Sequence, residues 1–244
     1  MLILASASPR RRELLAQAGF AFEVRPAHLN EDVRANEDPM AYVTRLARQK
    51  AEAVFRQFST QNPGAPGLAS ETWDSAPVAY RNPETRGTMG APGLDSETWD
   101  STIPERQPDS PIVVLGADTT VTLDGEILGK PVDAEDAARM LRLLSGRTHR
   151  VITGVALVTA ERTEVAAEVT AVRFLTLSDE EIAAYVATGE PMDKAGAYAI
   201  QGRAARWIPR VEGCYFNVVG LPIARTIDLL AEAREAALTA EPRP

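Results

Sequence analysis

The start of the chain holds a group of side chains that could bind an anion. Ser8 suits the N-cap of a helix and Pro9 its first position, which puts Arg10 and Arg11 in the first helical turn. Cations are unfavourable at this end, because unpaired N–H groups and the helix dipole already make it positive. With the hydroxyl of Ser6 added, the pattern favours a phosphate site. The alternative is a solvated basic turn whose arginines pair with nearby carboxylates.

A second candidate centre lies in the middle of the chain, where Asp118 and Thr119 follow a short apolar strand predicted for residues 112–115. A carboxylate at the end of a strand is a common catalytic or metal-binding group in α/β proteins. Two lysines could complete such a centre: Lys50, on a predicted helix, and Lys130, just after a predicted hairpin. Taken alone, a lysine such as Lys50 is more often a surface residue that extends past apolar neighbours.

The elements that must position these groups alternate along the chain. Apolar spacing and capping residues predict strands at residues 2–5, 20–24, 112–115, 150–159, 164–175 and 207–211, and helices that begin near residues 9, 39, 133, 178 and 220. A polar, acidic segment at residues 27–38 precedes the second helix and contains Glu31.

Residues 58–110 differ from the rest of the chain, being rich in Pro, Gly, Ser and Thr without sustained periodicity. Segment 64–75 recurs at 90–101 with one change, Asp95 for Ala69. Two copies are too few for a repeat array. We interpret the region as a disordered or loosely packed insertion within a single domain spanning residues 1–244, since long loops cost little stability. A docking contact through the tryptophan of each copy is the alternative.

Composition narrows the class of protein. A net charge of −8 and a pI near 5.0 argue against a nucleic-acid partner or an anionic membrane surface. The single cysteine, Cys214, excludes an intramolecular disulfide and fits a cytoplasmic location, and two histidines make a structural zinc site improbable. No apolar run reaches membrane-spanning length, and the apolar start has its charges on the wrong side for a signal peptide.

Six blocks in this order make the sequence resemble the Maf family of nucleoside triphosphate pyrophosphatases, once described as septum-formation inhibitors. They are LASASPRR (4–11), GADT (116–119), KP (130–131), LSG (144–146), DKAGAY (193–198) and VVGLP (218–222). The resemblance covers nearly the whole chain outside the insertion, and several ordered blocks are far more specific than one glycine-rich loop. The fold that we expect is α/β and Maf/ITPase-like: a mixed twisted sheet flanked by helices, with two lobes around a cleft.

The resemblance implies hydrolysis between the α and β phosphates, which releases a monophosphate and pyrophosphate with the help of a divalent cation, Mg²⁺ or Mn²⁺. Asp118 matches the catalytic carboxylate, as general base, metal ligand or both, and Glu31 would share the metal. The matching phosphate-binding positions are Ser6, Arg10, Arg11, Lys50 and Lys130. The positions that mark the dTTP/UTP-selective branch are Arg10, Thr119 and Gln201. An amide such as Gln201 could pair with O4 and N3–H of a pyrimidine.

Four functions remain open at this point. The expected one is a pyrophosphatase for dTTP, UTP and modified pyrimidine triphosphates, with homodimerisation compatible with the family. The others are a 7-methyl-GTP-selective pyrophosphatase, a nucleotide-binding regulator of cell division, and a sugar-phosphate nucleotidyltransferase, whose usual glycine-rich start is missing. The charged set favours an enzyme, because a protein that only binds nucleotides needs no carboxylate beside the phosphates.

Overall fold

The computed structural model describes residues 1–61 and 112–239. The insertion predicted at residues 58–110 therefore lies outside the described residues, except for its first few, which continue a helix up to Gln61. Its disorder and its place within a single domain stay predictions. None of the helices in the described ranges combines the length and the apolar character needed to cross a bilayer.

The elements form one mixed sheet with helices on both faces. The strands are β1 (Leu2–Leu4), β2 (Glu23–Val24), β3 (Val113–Leu123), β4 (Glu126–Leu128), β5 (Thr148–Val158), β6 (Thr163–Arg173) and β7 (Arg210–Glu212). The helices are α1 (Pro9–Gln17), α2 (Pro39–Gln61), α3 (Ala134–Leu144), α4 (Asp179–Val186), α5 (Tyr215–Val219) and α6 (Ile223–Thr239). Short 3₁₀ segments cover Glu190–Asp193, Ala195–Ala197 and Arg203–Trp207.

The strand order is β2-β1-β3-β5-β6-β7, with β4 paired to β3. Strand β1 runs parallel to β2 and β3, and every other pairing is antiparallel. This arrangement confirms the expected α/β class and the mixed sheet flanked by helices, whereas the cleft between two lobes stays a prediction.

Strand β3 corrects the prediction that a strand ends before Asp118. It runs unbroken from Val113 to Leu123, and Asp118 lies at its centre. The strand that ends is β1, whose last residue, Leu4, lies opposite Leu115. Pairing with β5 holds β3 extended beyond that point. Asp118 therefore lies past the carboxyl end of β1, next to the turn that leads into α1.

Local signals set most helix starts correctly. Ser8, Asp133 and Ser178 each accept a hydrogen bond from the backbone three residues ahead, and Ser178 forms a full capping box with Glu181. Other boundaries were wrong: the strand predicted at 20–24 has two residues, and the one at 207–211 is a 3₁₀ segment followed by β7. Helix α5 was not predicted.

Helix α2 packs closely on one face of the sheet. A Cβ atom added to Gly116 would lie 2.1 Å from the carbonyl oxygen of Ala47, and one added to Gly154 would lie 2.5 Å from that of Val43. Only glycine allows so close an approach of helix to sheet. The opposite face carries the largest core cluster, which includes Leu115 and residues of α3, α4 and α6.

Candidate active site

One lysine and two carboxylates meet on the α2 face of the sheet. Lys50 Nζ lies 2.7 Å from Asp118 Oδ1 and 2.6 Å from Glu31 Oε1. Lys50 and Asp118 are buried, whereas the Glu31 side chain is 46% exposed. The structure thus brings together three of the predicted site residues, with one charge pair inside and one carboxylate open to solvent.

Helix α2 also holds the acidic segment that carries Glu31. The hydroxyl of Tyr42 donates to the Glu31 carbonyl at 2.9 Å, and Arg45 Nη2 donates to the Asp32 carbonyl at 3.1 Å. Arg45 also makes a fork of two 2.6 Å contacts with the carboxylate of Glu37. Since two consecutive carbonyls are fixed to one helix, the position of Glu31 follows that of α2.

The surroundings shift the ionisation of these groups. Burial raises the pKa of the Asp118 carboxyl above its usual range, although the charges of Lys50 and Arg11 oppose the shift. Burial would also raise the pKa of Glu31, but the hydrogen bond and charge of Lys50, together with the charges of Lys130 and Arg11, outweigh burial and lower that pKa. Burial raises the pKa of Tyr42 to about 12, which keeps its hydroxyl protonated as a donor.

Arg11 is buried and connects three parts of the chain. Its Nε donates to the Gly220 carbonyl at 2.8 Å, and Nη1 donates to Ser6 Oγ at 3.2 Å and to the Ala117 carbonyl at 2.9 Å. Nη2 donates to Thr119 Oγ1 at 3.0 Å. Four of the five guanidinium N–H groups are thus used inside the protein. One N–H remains that could reach a phosphate.

A chain of hydrogen bonds continues from Arg11 through the sheet. The hydroxyls of Thr119 and Thr153 are 2.9 Å apart, and that of Thr153 donates to the Asn217 carbonyl at 3.0 Å. Thr119 accepts from Arg11, and its single proton has two acceptors within reach, Thr153 Oγ1 and the Gly220 carbonyl at 3.4 Å. The hydroxyl proton of Thr119 is therefore engaged inside the protein.

Asp118 and Thr119 point to opposite faces of β3, as consecutive strand residues must. Asp118 contacts α2 through Lys50, and its partner across the ladder, Gly154, lies beneath α2. Thr119 and its partner Thr153 face α5 instead. The adjacent Asp-Thr pair thus serves two separate environments.

The remaining predicted residues lie nearer the surface. Arg10 Nη1 lies 3.9 Å from Asp193 Oδ2. Lys130 is exposed, and its charge helps to lower the pKa of Glu31. Gln201 occupies an exposed turn, and no contact in the described structure joins it to Asp118 or Thr119. Its part in base selection stays a prediction.

Sequence reasoning missed four supporting residues: Tyr42, Arg45, Thr153 and Asn217. Tyr42 and Arg45 are three residues apart and share one face of α2, and their spacing beside the acidic segment was a usable signal. Asn217 is fully buried and donates to the Val151 carbonyl at 3.0 Å and to Thr170 Oγ1 at 2.8 Å. No local pattern announces such a contact.

The donor set suits one class of metal. Within residues 1–61 and 112–239, no three His, Cys, Asp or Glu side chains converge as a metal cage. Two carboxylates, Glu31 and Asp118, meet at Lys50 Nζ. Mg²⁺ is typically held by one or two carboxylates, with waters and substrate phosphates as its other ligands, whereas zinc requires three or four protein ligands. The residues present fit Mg²⁺ or Mn²⁺ bound together with a nucleotide.

Comparison with known proteins agrees with this geometry. The family described as Maf-like protein matches residues 1–233. A dTTP/UTP pyrophosphatase of Koribacter versatilis (strain Ellin345) is 44% identical over 232 residues, 95% of this chain and 94% of that protein. The dTTP/UTP pyrophosphatase of Hahella chejuensis (strain KCTC 2396) is 45% identical over 231 residues, 95% of this chain and 91% of that protein. That of Bacillus pumilus (strain SAFR-032) is 41% identical over 229 residues, 94% of each chain. The chain belongs to the Maf family.

Proposed function

We propose that the protein hydrolyses dTTP and UTP to the monophosphate and pyrophosphate. The observation that carries the proposal is the contact of buried Asp118 with Lys50, at the point where Arg11 ties the first turn of α1 to β3. This places a carboxylate beside a helix N-terminus and several cations, which are the parts that phosphoryl transfer needs. The names of the relatives support the same substrates.

Asp118 would act on the attacking water. A general base works best when its pKa lies near the working pH, and burial moves the pKa of Asp118 upward in that direction. Lys50, held between two carboxylates, could release one of them and turn toward the negative charge of a bound phosphate. Arg10 and Lys130 are accessible cations at the outer side of this centre and would contact the phosphate tail.

Glu31 and Asp118 would hold the divalent cation. When bound, this ion would neutralise charge on the phosphates and lower the pKa of water. Glu31 suits this role because it is ionised, partly exposed and fixed to α2 through its own carbonyl.

Base selection would come from Gln201, Arg10 and Thr119. An amide can donate to O4 and accept from N3–H of uracil or thymine, whereas cytosine presents an amine and a bare acceptor. The mismatch leaves buried groups unpaired, at a cost of about 1–3 kcal/mol each, which corresponds to about 5- to 150-fold in rate. Thr119 would act through its remaining lone pair and its shape, because its proton is engaged.

A nucleotide panel tests the proposal. The protein with Mg²⁺ should convert dTTP and UTP to monophosphate and pyrophosphate, with CTP and dCTP much slower. Preferred turnover of 7-methyl-GTP would instead assign the protein to that branch of the family. Binding of nucleotide without release of pyrophosphate would favour the regulator, and formation of a sugar nucleotide from a sugar phosphate would favour the transferase.

The proposed setting is the cytoplasm, with a nucleotide and no nucleic acid as partner. The single cysteine and the net charge of −8 support both points. A homodimer is proposed from the family alone, and light scattering of the purified chain would test it.

A further inference from the structure

We propose that Glu190 and Tyr185 are positioning residues that fix the turn carrying Gln201 and thereby set base selectivity. The inference rests on the proposed function, because it concerns how Gln201 is held for that reaction. Gln201 itself is exposed, and the neighbouring backbone is held by other side chains.

The backbone on both sides of Gln201 is anchored to these two side chains. The amide of Ala199 donates to Tyr185 Oη at 3.1 Å, and the amide of Arg203 donates to Glu190 Oε1 and Oε2 at 3.1 and 3.3 Å. Tyr185 Oη in turn donates to Glu190 Oε1 at 2.7 Å. The residue two positions before Gln201 and the residue two positions after it are therefore both bound to one connected pair of side chains.

Steric contact adds to this anchoring. A Cβ atom on Gly202, the residue after Gln201, would lie 2.1 Å from Glu190 Oε1. The carboxylate thus lies directly against the turn, in space that any other residue at 202 would need. Tyr185 is 1% exposed, and its ring packs edge-on against Trp207 with centroids 5.2 Å apart. The anchor is consequently fixed to the core and does not move with the surface.

Glu190 begins a short 3₁₀ segment, Glu190–Asp193, that also reaches Arg10, a second predicted specificity residue. Asp193, at its end, lies 3.9 Å from Arg10. Lys194 contacts both Asp193 and the Glu190 carbonyl, the latter at 3.2 Å. The segment Glu190–Asp193 therefore links the Gln201 turn to Arg10. Thr119, the third position, is held separately by Arg11.

Positioning matters here because a glutamine amide has two ends of opposite character. A turn that shifts would let the amide meet cytosine as readily as uracil. An anchor that fixes the backbone on both sides limits that adjustment. Loss of the anchor should therefore lower kcat/KM for UTP more than kcat/KM for CTP.

Two variants test the inference, each removing one part of the anchor. Tyr185→Phe loses the hydroxyl that joins the Ala199 amide to the Glu190 carboxylate, and Glu190→Gln replaces one acceptor oxygen by an amide NH₂ group, which can only donate. Glu180→Gln is the matched control, because Glu180 is exposed and lies on α4, the helix that carries Tyr185. For each protein, kcat/KM for UTP and CTP is measured beside Gln201→Ala, together with the melting temperature.

We expect Tyr185→Phe and Glu190→Gln each to narrow the UTP to CTP ratio by about 3- to 10-fold, the effect of one lost hydrogen bond. The control should keep the wild-type ratio. In the double variants with Gln201→Ala, the anchor changes should have no additional effect on the ratio, because they act through that side chain. A merely structural role would lower the melting temperature and leave the ratio unchanged.

The outcomes separate the two levels of the argument. If Gln201→Ala narrows the ratio and neither anchor variant does, the inference is overturned and the proposed function stands. If Gln201→Ala leaves the ratio unchanged, or if wild type turns over CTP and UTP equally, the proposed base recognition fails and takes the inference with it.

Discussion

Adjacent residues on the two faces of β3 make different kinds of contact. On the α2 face, Asp118 meets Lys50 and Glu31, three charged groups within 2.7 Å contacts. On the opposite face, Thr119 lies in a line of hydrogen bonds from Arg11 to the Asn217 carbonyl, in which every acceptor is neutral. The charged groups on the α2 face can change partners when an anionic substrate binds. The hydrogen bonds on the opposite face hold the backbone in a fixed arrangement.

The difference follows from what each environment can tolerate. Removing one partner of a buried ion pair costs several kcal/mol, because the other charge is left unpaired. The charged groups on the α2 face must therefore gain a new partner whenever they give up an old one. A half-exposed Glu31 makes such exchange possible. A guanidinium with four neutral acceptors has no partner of opposite charge to exchange, and Arg11 therefore acts first as a connector. The comparison suggests changes that should affect one face and spare the other.

The largest expected effect belongs to the α2 face. Asp118→Asn is nearly isosteric, so the fold should persist while the charge that binds metal or activates water is lost. We expect kcat for dTTP to fall by about 10²-fold or more, as for a lost general base. Pyrophosphate release at saturating Mg²⁺ measures the effect, and an unchanged melting temperature shows that the fold persists. Retention of most activity would contradict the role assigned to Asp118.

Arg11→Lys should affect stability most on the opposite face. A lysine cannot reach the carbonyls of Gly220 and Ala117 together with two hydroxyls, because it lacks the planar fork. Buried acceptors without donors cost about 1–3 kcal/mol each, so we expect a loss of at least about 2 kcal/mol in the free energy of unfolding, read by urea denaturation. Arg10→Lys, at a half-buried surface position, is the control and should change stability little. Equal stability of the two variants would show that Arg11 is not a connector.

A pH series should distinguish the ion pair of Glu37 and Arg45, which supports the α2 face, from the neutral hydrogen bonds that support the opposite face. The hydrogen bond from Arg45 lowers the pKa of Glu37 to about 2, so this pair stabilises the fold above the ordinary carboxyl range and stops doing so as pH falls through 2. Glu37→Gln should therefore cost between about 1 and 2 kcal/mol at neutral pH, and the difference from wild type should shrink as acid is added. Urea denaturation at several pH values measures this. Glu52→Gln is the control, because Glu52 is a partly exposed residue of α2 whose ion pairs with Arg48 and Arg56 are longer, at 3.6 Å each. A constant difference for Glu37→Gln would exclude its ion pair as the cause.

Capping residues and chemically complete motifs were predictable from sequence because their information is local. Ser8, Asp133 and Ser178 bind backbone within their own turn. The fate of Arg11 was not predictable in this way. Its position in a first turn predicted a phosphate-binding cation, with a solvated cation as the alternative, but its burial depends on Gly220, 209 residues further along the chain. The same holds for the length of β3, which is set by pairing with β5 and not by its own apolar run.

The smallest expected effect comes from replacing one threonine by valine on each face of β3 and its neighbouring strand. Thr153→Val removes a hydroxyl that hydrogen-bonds to that of Thr119 and donates to the Asn217 carbonyl, so the Asn217 carbonyl loses a donor and Thr119 loses one of its partners. We expect it to lower the free energy of unfolding by about 1 kcal/mol. Thr122→Val is the counterpart, because Thr122 Oγ1 is buried and has no hydrogen-bond partner among the described residues.

Thr122 lies four residues after Asp118 along β3, which places it on the same α2 face. Its partner across the ladder, Ile127, packs with the α2 residues there. Removing an unpaired hydroxyl relieves a desolvation cost, so Thr122→Val should leave stability unchanged or increase it. Urea denaturation of both variants at one pH and one salt concentration gives the comparison directly. If the two changes have the same sign and size, the hydroxyl of Thr153 contributes only its volume. The distinction drawn between the two faces would then rest on Arg11 alone.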